Sequence, residues 1–459
     1  MRPGGPAAGR QREYDPRVRM CWKLVLGAGA LVVVAVMAYS FRTRSLAREF
    51  DARVARYRAE GRPVRWVDVT EPSTPDSDNM APLLKEAREL VESLGDERGA
   101  FIGRYYDGEL PATDVERAEL QDGLVAVAPA LARIDSAMKR PRFSVFLGAT
   151  PFAPERHAWI RDIWNVTKLL VVRARSDPMV AAATVDALLT ICARWQARTD
   201  PELTMRRNLR RDALARIRAM FEDGKRLPAE TALRWIGLLR TAEQDERRGV
   251  DMALESDRVE IIECVAAYGR GEDPVRDRWS KHDAPGPSIY ARWGGRARLH
   301  AEASDALDEL ESLRTRATDD ARLRADSATW TGGRLDRPAV TLSSYLFSIN
   351  HSYLFENLLT ELAVLRAARI AIRLRLIRQS GSPIPSRLTD VPGTDAAGER
   401  EDPMTGENFA FEATAGSVAL SSRIAESDPT RRPAWLDRNW SPEHIRSGLV
   451  NEFLAWRIP

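Results

Sequence analysis

The sequence contains few of the residues that carry metal and covalent chemistry. Its 459 residues include 3 cysteines and 5 histidines. No histidine belongs to an HxH or HExxH motif, so the sequence has no zinc-ligand cluster of recognised spacing. The low cysteine content also excludes a disulfide-based scaffold. We therefore expect structural or surface roles for the histidines, which are His157, His282, His300, His351 and His444.

Sequence motifs for catalysis and phosphate binding are missing as well. Nucleophilic catalysis needs a serine or cysteine positioned beside a base, and the sequence has no GxSxG motif. It has neither a glycine-rich phosphate loop nor a GxGxxG motif. The sequence therefore predicts no catalytic, cofactor-binding or metal-binding residue, and it favours a protein that is not an enzyme.

Neither sign of charge is in excess, and lysine is rare. The 69 basic and 66 acidic residues give a formal net charge of +3, which argues against a nucleic-acid binder. Only six of the basic residues are lysine. Guanidinium groups can bind oxyanions bidentately. The arginines are interleaved with acids along the whole chain, however, which is typical of solvated helix faces. The preference for arginine over lysine is typical of a GC-rich genome.

One long hydrophobic run stands out against this charged background. Residues 24–41 carry no charge, and about 20 apolar residues cross a bilayer as a helix. A cleaved signal peptide is the alternative, but its apolar core is typically about 7–15 residues long, and here Arg42 follows the run directly. The sequence predicts an uncleaved, single-pass anchor in the cytoplasmic membrane, with the lipid bilayer as the partner of residues 24–41.

The orientation of this anchor rests on segment length, because basic residues flank both ends almost equally. Long domains translocate largely regardless of flanking charge. We therefore expect the large C-terminal part to be extracytoplasmic.

Helical periodicity and capping signals extend over most of the remaining chain. The capping-box pattern Thr113-Asp114-Val115-Glu116 predicts a helix to about Met138. Asp177-Pro178 and Asp200-Pro201 each read as an N-cap followed by proline. Residues 352–378 read as a long amphipathic helix. Long irregular stretches are expected at 270–300 and 318–340.

The pattern changes after residue 381. The segment 402–406 reads as a turn, with Asp402 and Gly406 as turn formers. Apolar residues on either side of Gly416-Ser417 predict a small β-hairpin. Ser441-Pro442 is expected to start a terminal helix that carries Trp456.

The predicted fold class is mainly α. It comprises an N-terminal transmembrane helix, an irregular multi-helix domain of bundle or solenoid-like type, and a small C-terminal β-hairpin unit. The expected segments are a short tail (1–20), a transmembrane helix (21–41), a stalk helix (42–61), an α-helical domain (62–350), a long helix with the hairpin (351–424), and a C-terminal tail with a short helix (425–459).

Several side-chain groups have a functional and a structural interpretation. His282-Asp283, with Trp279, Lys281 and Tyr290 nearby, is the densest mixture of reactive groups, although a polar loop is the favoured interpretation. The carboxylates on two helices could serve acid–base or metal chemistry, but pairing with arginines is favoured; they are Glu255, Asp257, Glu260, Glu263, Glu356 and Glu361.

A basic stripe and a set of tryptophans complete these candidates. The stripe could bind anionic lipid headgroups, but a solvated face paired with neighbouring acids is favoured; it comprises Arg206, Arg207, Arg210, Arg211, Arg216 and Arg218. Trp159, Trp164 and Trp195 are expected in the core rather than as a sugar platform. Cys192 and Cys264 are expected to be buried thiols, with a disulfide between them left open.

Short motifs resemble an uncharacterised family of single-pass membrane proteins from planctomycete-type bacteria. They are Gly61-Arg62-Pro63-Val64, the segment from Asp78 to Leu84, Asp177-Pro178, the segment from Gly381 to Pro385, Leu388 to Val391, and Asp402 to Gly406. The resemblance implies an N-terminal anchor and a helical extracytoplasmic domain. The C-terminal part is similar to type II secretion pseudopilins, but the Gly/Asp-rich segment typical after the hairpin is missing, so no calcium role is carried over.

These observations lead to one leading hypothesis and two alternatives. The leading hypothesis is a membrane-anchored cell-envelope protein that acts as a scaffold or protein-interaction module, with an envelope protein as its partner. One alternative is a membrane-tethered hydrolase with a site near residues 279–300. The other is a surface protein that engages anionic lipids. No nucleic acid and no specific small molecule is inferred as a partner.

Overall fold

The computed structural model describes residues 16–70, 74–106, 113–151, 158–272, 295–317, 351–396, 398–414, 417–422 and 455–458. Within these ranges the chain forms twelve α-helices and one three-stranded antiparallel sheet. The mainly α fold class predicted from the sequence is therefore confirmed. Its elements build one continuous hydrophobic core that extends from the end of the first helix to the sheet.

The first helix, α1 (Pro16–Ala59), is long and has two environments. Every side chain from residue 20 to residue 42 is exposed, and the helix is long and apolar enough to cross a membrane. Phe50 and Tyr57, by contrast, are buried in the core. The segment 42–61, which we expected to be a stalk, therefore packs along the helical domain. Gly61, at φ +71°, ends the helix as predicted.

The helical domain follows in eleven further helices. They are α2 (Trp66–Val69), α3 (Ala81–Glu92), α4 (Gly95–Tyr106), α5 (Asp114–Ala126), α6 (Ala128–Ala137), α7 (Ala158–Ser176), α8 (Ala181–Arg194), α9 (Asp200–Glu222), α10 (Ala229–Gly269), α11 (Gly295–Arg316) and α12 (His351–Gln379). Helix α1 packs on α11, and α10 packs against α2, α8, α9, α11 and α12. The 41-residue α10 is therefore the central element of the domain.

Local capping chemistry explains where several helices begin. Thr113 and Glu116 form the predicted capping box, in which the Glu116 amide donates to Thr113 Oγ1 at 3.2 Å. The helix predicted from there to Met138 is divided, because Val127 ends α5 and a proline in the first turn starts α6. The N-cap of α9 is Thr199 rather than Asp200, since Thr199 forms a capping box with Glu202.

Helix α12 differs from the amphipathic helix that we predicted. All twelve side chains from residue 361 to residue 372 are buried, so the helix has no solvent face over this stretch. It carries glutamate and arginine as well as apolar residues. Because of these charged side chains, the sequence predicted a solvent-exposed face. In the structure they pair with charges on neighbouring helices instead of facing water.

The C-terminal sheet contains the predicted hairpin and one further strand. Strand β1 (Ala410–Ala413) pairs with β2 (Val418–Ser421), and β2 also pairs with β3 (Ala455–Ile458). Trp456 lies in β3, so the prediction that a terminal helix carries it is wrong. Trp456 and Ile458 are both buried, as expected where every second side chain of a strand faces the core. The sheet packs on α9 and α12.

The crossing of α9 and α10 allows a test of how closely the core is packed. A Cβ atom added at Gly249 would lie 2.5 Å from Leu203 Cδ2 and 2.8 Å from Arg206 Nη2. Both of these side chains are buried, so they have little room to move. A Cβ atom added at Gly237, on the same helix, would meet nothing within 4 Å.

We therefore expect opposite effects from the same substitution at two positions of α10. Gly249→Ala should destabilise the protein by about 1–3 kcal/mol through overpacking. Gly237→Ala should stabilise it by about 0.5–1 kcal/mol, because alanine favours the helix. Thermal unfolding of the full-length protein in a neutral detergent, followed by circular dichroism, measures both. Equal effects of the two substitutions would contradict the close crossing.

Candidate functional site

The candidate hydrolase site lies mostly outside the described residues. His282 and its neighbours Trp279, Lys281 and Tyr290 belong to that undescribed part, as do His157 and His444. His300 lies on α11, where its ring packs at 5.6 Å against Phe50 of α1. It therefore contributes to the contact between these two helices.

Within the described ranges, no group of three or more histidine, cysteine, aspartate or glutamate side chains could hold a metal ion. Cys192 and Cys264 are both buried and neither is part of a disulfide, so the bridge left open above does not form. Burial raises the pKa of the Cys192 thiol to about 12, which keeps the thiol protonated and unreactive.

Three arginines of the basic stripe of α9 have a different environment from the solvated face that we favoured. Arg206, Arg207 and Arg210 are buried, and all three contact Glu246 of α10, whose side chain is 0% exposed. Arg207 Nε donates to Glu246 Oε1 at 2.6 Å, and Arg210 also bonds to Glu246. These three arginines therefore face the interior and cannot reach a lipid headgroup.

Glu246 is charged because of these neighbours. Burial alone would raise the pKa of its carboxyl, but the three guanidinium groups hold the pKa well below its usual range. On α12, Glu361 adds a second buried carboxylate, which accepts a hydrogen bond from Arg210 Nε at 2.7 Å. The favoured pairing of Glu361 with arginine is confirmed. The side chain of Glu356 lies outside the described residues.

A second group of charges joins α10 and α12 to the C-terminal unit. Glu243 of α10 accepts hydrogen bonds from Arg366 and Arg369 of α12 at 2.6 Å each. Arg369 also donates to Glu399, at 2.7 Å. Burial would raise the pKa of Glu399, but Arg369 and Arg373 lower it to about 2. The carboxylate of Glu399 is thus held in its charged form.

A third group lies where α1 meets the domain. Glu255 of α10 accepts from Arg62 Nη2 at 2.8 Å, and Arg314 of α11 lies 3.3 Å from the same carboxylate oxygen. The guanidinium groups of Arg62 and Arg258 lie over the ring of the buried Tyr57, each 4.8 Å from the ring centroid. The pairing of Glu255 with arginine is therefore confirmed, and it closes the end of α1 onto α10 and α11.

Two of the three tryptophans and the C-terminal turn are found as predicted. Trp159 and Trp195 are buried and stack edge to face at 5.1 Å, so these two are core residues as expected. Asp402 Oδ1 accepts from the Met404 amide at 2.9 Å. Gly406 has a φ of +76°. The role of Asp402 and Gly406 as turn formers is confirmed.

A cleft between α4, α7 and α9 is a site that sequence reasoning missed. Six half-buried side chains meet there: Tyr106 of α4, Trp164, Lys168 and Arg175 of α7, and Asp212 and Arg216 of α9. We call it the α4–α7–α9 cleft. In the sequence, Asp212 is only one of several acids that alternate with the arginines of α9. The spacing of Lys168 and Arg175, seven residues apart on one helix face, was the available signal.

Asp212 of this cleft has an unusually high pKa for an aspartate. The Tyr106 hydroxyl donates to the carboxylate, with distances of 3.2 and 3.4 Å to its two oxygens. Burial raises the pKa of Asp212 to about 6, against the lowering effects of Tyr106, Arg216 and Arg175. Perturbed carboxyl groups in clefts are more frequent at functional sites than elsewhere. The cleft is therefore the candidate functional site of the described part of the chain.

Comparisons of the chain with protein-family models, with curated proteins and with solved structures find no match. The resemblance to a planctomycete family and to pseudopilins stays a prediction.

The charge cluster around Glu246 leads to a prediction about stability. Glu246→Gln removes the carboxylate that compensates three buried arginines, and breaking a buried ion pair costs about 3–5 kcal/mol. Glu230→Gln changes an exposed residue in the first turn of the same helix, where the charge contributes about 0.3–1 kcal/mol. Chemical denaturation of the full-length variants compares the two. A loss at Glu246 no larger than that at Glu230 would contradict the compensation.

Proposed function

We propose that the chain is a membrane-anchored scaffold of the cell envelope, which holds a rigid helical domain at a fixed orientation beside the bilayer and presents it to an envelope protein. The observation that carries this proposal is the absence of a linker within α1. The helix is unbroken from Pro16 to Ala59. Its exposed apolar part and its buried part belong to the same rigid rod.

The contacts of α1 with the domain support a fixed orientation. Arg53 pairs with Asp308 of α11, and Arg62 pairs with Glu255 and Glu311. Tyr57 is fully buried, and the guanidinium groups of Arg62 and Arg258 lie over its ring. Such a contact contributes about 1–2 kcal/mol when it is desolvated. These contacts come from both α10 and α11, so they restrain rotation of the helix as well as its separation from the domain.

The C-terminal unit supports a role in presentation. Helix α10 connects α1 with this unit, because it carries Glu255 beside the end of α1 and Glu243 beside α12. Strand β1 forms an edge of the sheet, and its residues Glu412 and Ala413 are exposed. An exposed sheet edge offers backbone groups for pairing with another chain. We therefore assign partner binding to this edge.

Site-specific photo-crosslinking tests the scaffold proposal. A photo-reactive residue replaces Glu412 in the full-length protein in native membranes. We expect one envelope protein to be crosslinked reproducibly. A seven-residue Gly-Ser insertion between Phe41 and Arg42 should abolish this crosslink, because it uncouples the domain from the anchor. The same insertion after Glu272, at the exposed end of α10, serves as the matched control and should preserve the crosslink.

Two results would contradict the scaffold proposal. One is that no protein is crosslinked while circular dichroism shows the protein folded. The other is that the crosslink survives the insertion before Arg42, which would show that partner binding does not need a fixed orientation.

The extracytoplasmic location of the domain is tested by cysteine labelling. Met179, between α7 and α8, is 88% exposed, and both native cysteines of the domain are buried. In a Cys21→Ser background, Met179→Cys should react with a membrane-impermeant maleimide in intact spheroplasts. Labelling only after the cells are lysed would place the domain on the cytoplasmic side and reverse the proposed orientation.

A further inference from the structure

The α4–α7–α9 cleft brings together three cationic side chains, those of Lys168, Arg175 and Arg216. Lys168 Nζ lies over two aromatic rings, 5.1 Å from the centroid of Tyr106 and 5.5 Å from that of Trp164. Arg175 Nη1 donates to the backbone carbonyl of Tyr105 at 2.8 Å. Arg216 lies one turn after Asp212 on α9. None of these three cations forms an ion pair within 4 Å with any residue that the structure describes.

This arrangement differs from the other arginine clusters of the protein. Around Glu246 and Glu399, each buried carboxylate is shared among arginines at hydrogen-bond distance. In the cleft, the carboxylate of Asp212 lies near the guanidinium groups of Arg175 and Arg216 and accepts a hydrogen bond from the Tyr106 hydroxyl. Arg175 is close enough to Arg216 to lower its pKa, which burial also lowers. Two guanidinium groups that repel each other in this way are stabilised by an anion between them.

The remaining walls of the cleft suit a small ligand. Tyr106 and Trp164 pack edge to face, with ring centroids 6.1 Å apart. The Tyr106 hydroxyl reaches Asp212, so these rings lie beside the polar groups of α9. All six side chains are half-buried, so they are shielded from bulk water but still accessible. Charge-assisted hydrogen bonds are stronger in such a partly desolvated environment than at an open surface.

We propose that the α4–α7–α9 cleft is a binding site for a small oxyanion, the phosphate or carboxylate group of a ligand, held by Arg175, Lys168 and Arg216. Planar guanidinium forks match the oxygens of these groups. Asp212 and the hydroxyl of Tyr106 line the rim, where Asp212 limits the net positive charge. The site is independent of the proposed scaffold role, because it uses neither the anchor nor the C-terminal sheet.

Isothermal titration calorimetry with sodium sulfate tests this site. Sulfate is a suitable probe because its charge is constant near neutral pH. We expect saturable binding to the full-length protein in a neutral detergent at pH 7.5. Arg216→Gln should weaken it at least about tenfold, since it removes charge-assisted hydrogen bonds. Arg173→Gln removes one positive charge from another face of α7 and should change the affinity less than about twofold.

A third variant separates ligand binding from a purely structural role of the cleft. Asp212→Asn removes the carboxylate that opposes an incoming anion, and we expect it to bind sulfate several times more tightly at this pH. Circular dichroism confirms that each variant is folded. A loss of binding in Asp212→Asn, or equal losses in Arg216→Gln and Arg173→Gln, would overturn the proposal.

Native mass spectrometry distinguishes the two sources of the oxyanion. Full-length protein in a neutral detergent is mixed with phosphatidylcholine or with phosphatidylglycerol, and the bound lipid is counted. Sulfate binding without any preference for phosphatidylglycerol supports a soluble ligand. Preferential binding of phosphatidylglycerol that is lost in Arg216→Gln and retained in Arg173→Gln assigns the oxyanion to a lipid headgroup. Failure of both arms overturns the site, whereas failure of the crosslinking experiment above concerns only the scaffold.

Discussion

The structure depends on one electrostatic requirement, that charges removed from water be compensated within the protein. Glu246 meets this requirement for three arginines of α9, and Glu361 extends the compensation to α12. Because neither carboxylate is accessible, the three helices can pack only in the register that brings these groups together. Buried ion pairs of this kind contribute little net stability compared with apolar residues, but a mismatched arrangement is heavily penalised. Their main effect is therefore to select one packing of long helices over sliding alternatives.

Helix α10 carries three glutamates whose charges are compensated by arginines in this way. Glu243, Glu246 and Glu255 each receive arginines from a different part of the chain: from α12, from α9, and from the end of α1 with α11. A sequence with 63 arginines among its 69 basic residues can do this because one guanidinium group bonds to several acceptors at once. The arginine bias that resembled a property of the genome is thus used structurally in the core.

The sequence was informative where structure is determined by local chemistry. The capping box at Thr113 and Glu116, the end of α1 at Gly61, and the turn at Asp402 each depend on groups within a few residues.

The sequence was misleading where partners are distant, since Arg207 pairs with a residue 39 positions away and Arg210 with one 151 positions away. No helical periodicity identifies such pairs, and so a buried stripe was taken for a solvated face. The cleft was missed for the same reason, because its residues come from three helices. Trp456 shows a related limit, since the buried strand β2 that pairs with β3 is remote in sequence.

The continuity of α1 also has a mechanical consequence. At 1.5 Å per residue, its 44 residues form a rod roughly 65 Å long. A helix with a fixed apolar length changes its tilt when the bilayer changes thickness. In a chain whose domain is clamped to the same rod, that tilt becomes a rotation of the whole domain relative to the membrane surface. Local lipid composition would then set the direction in which the C-terminal sheet points, with no change in the internal structure of the protein.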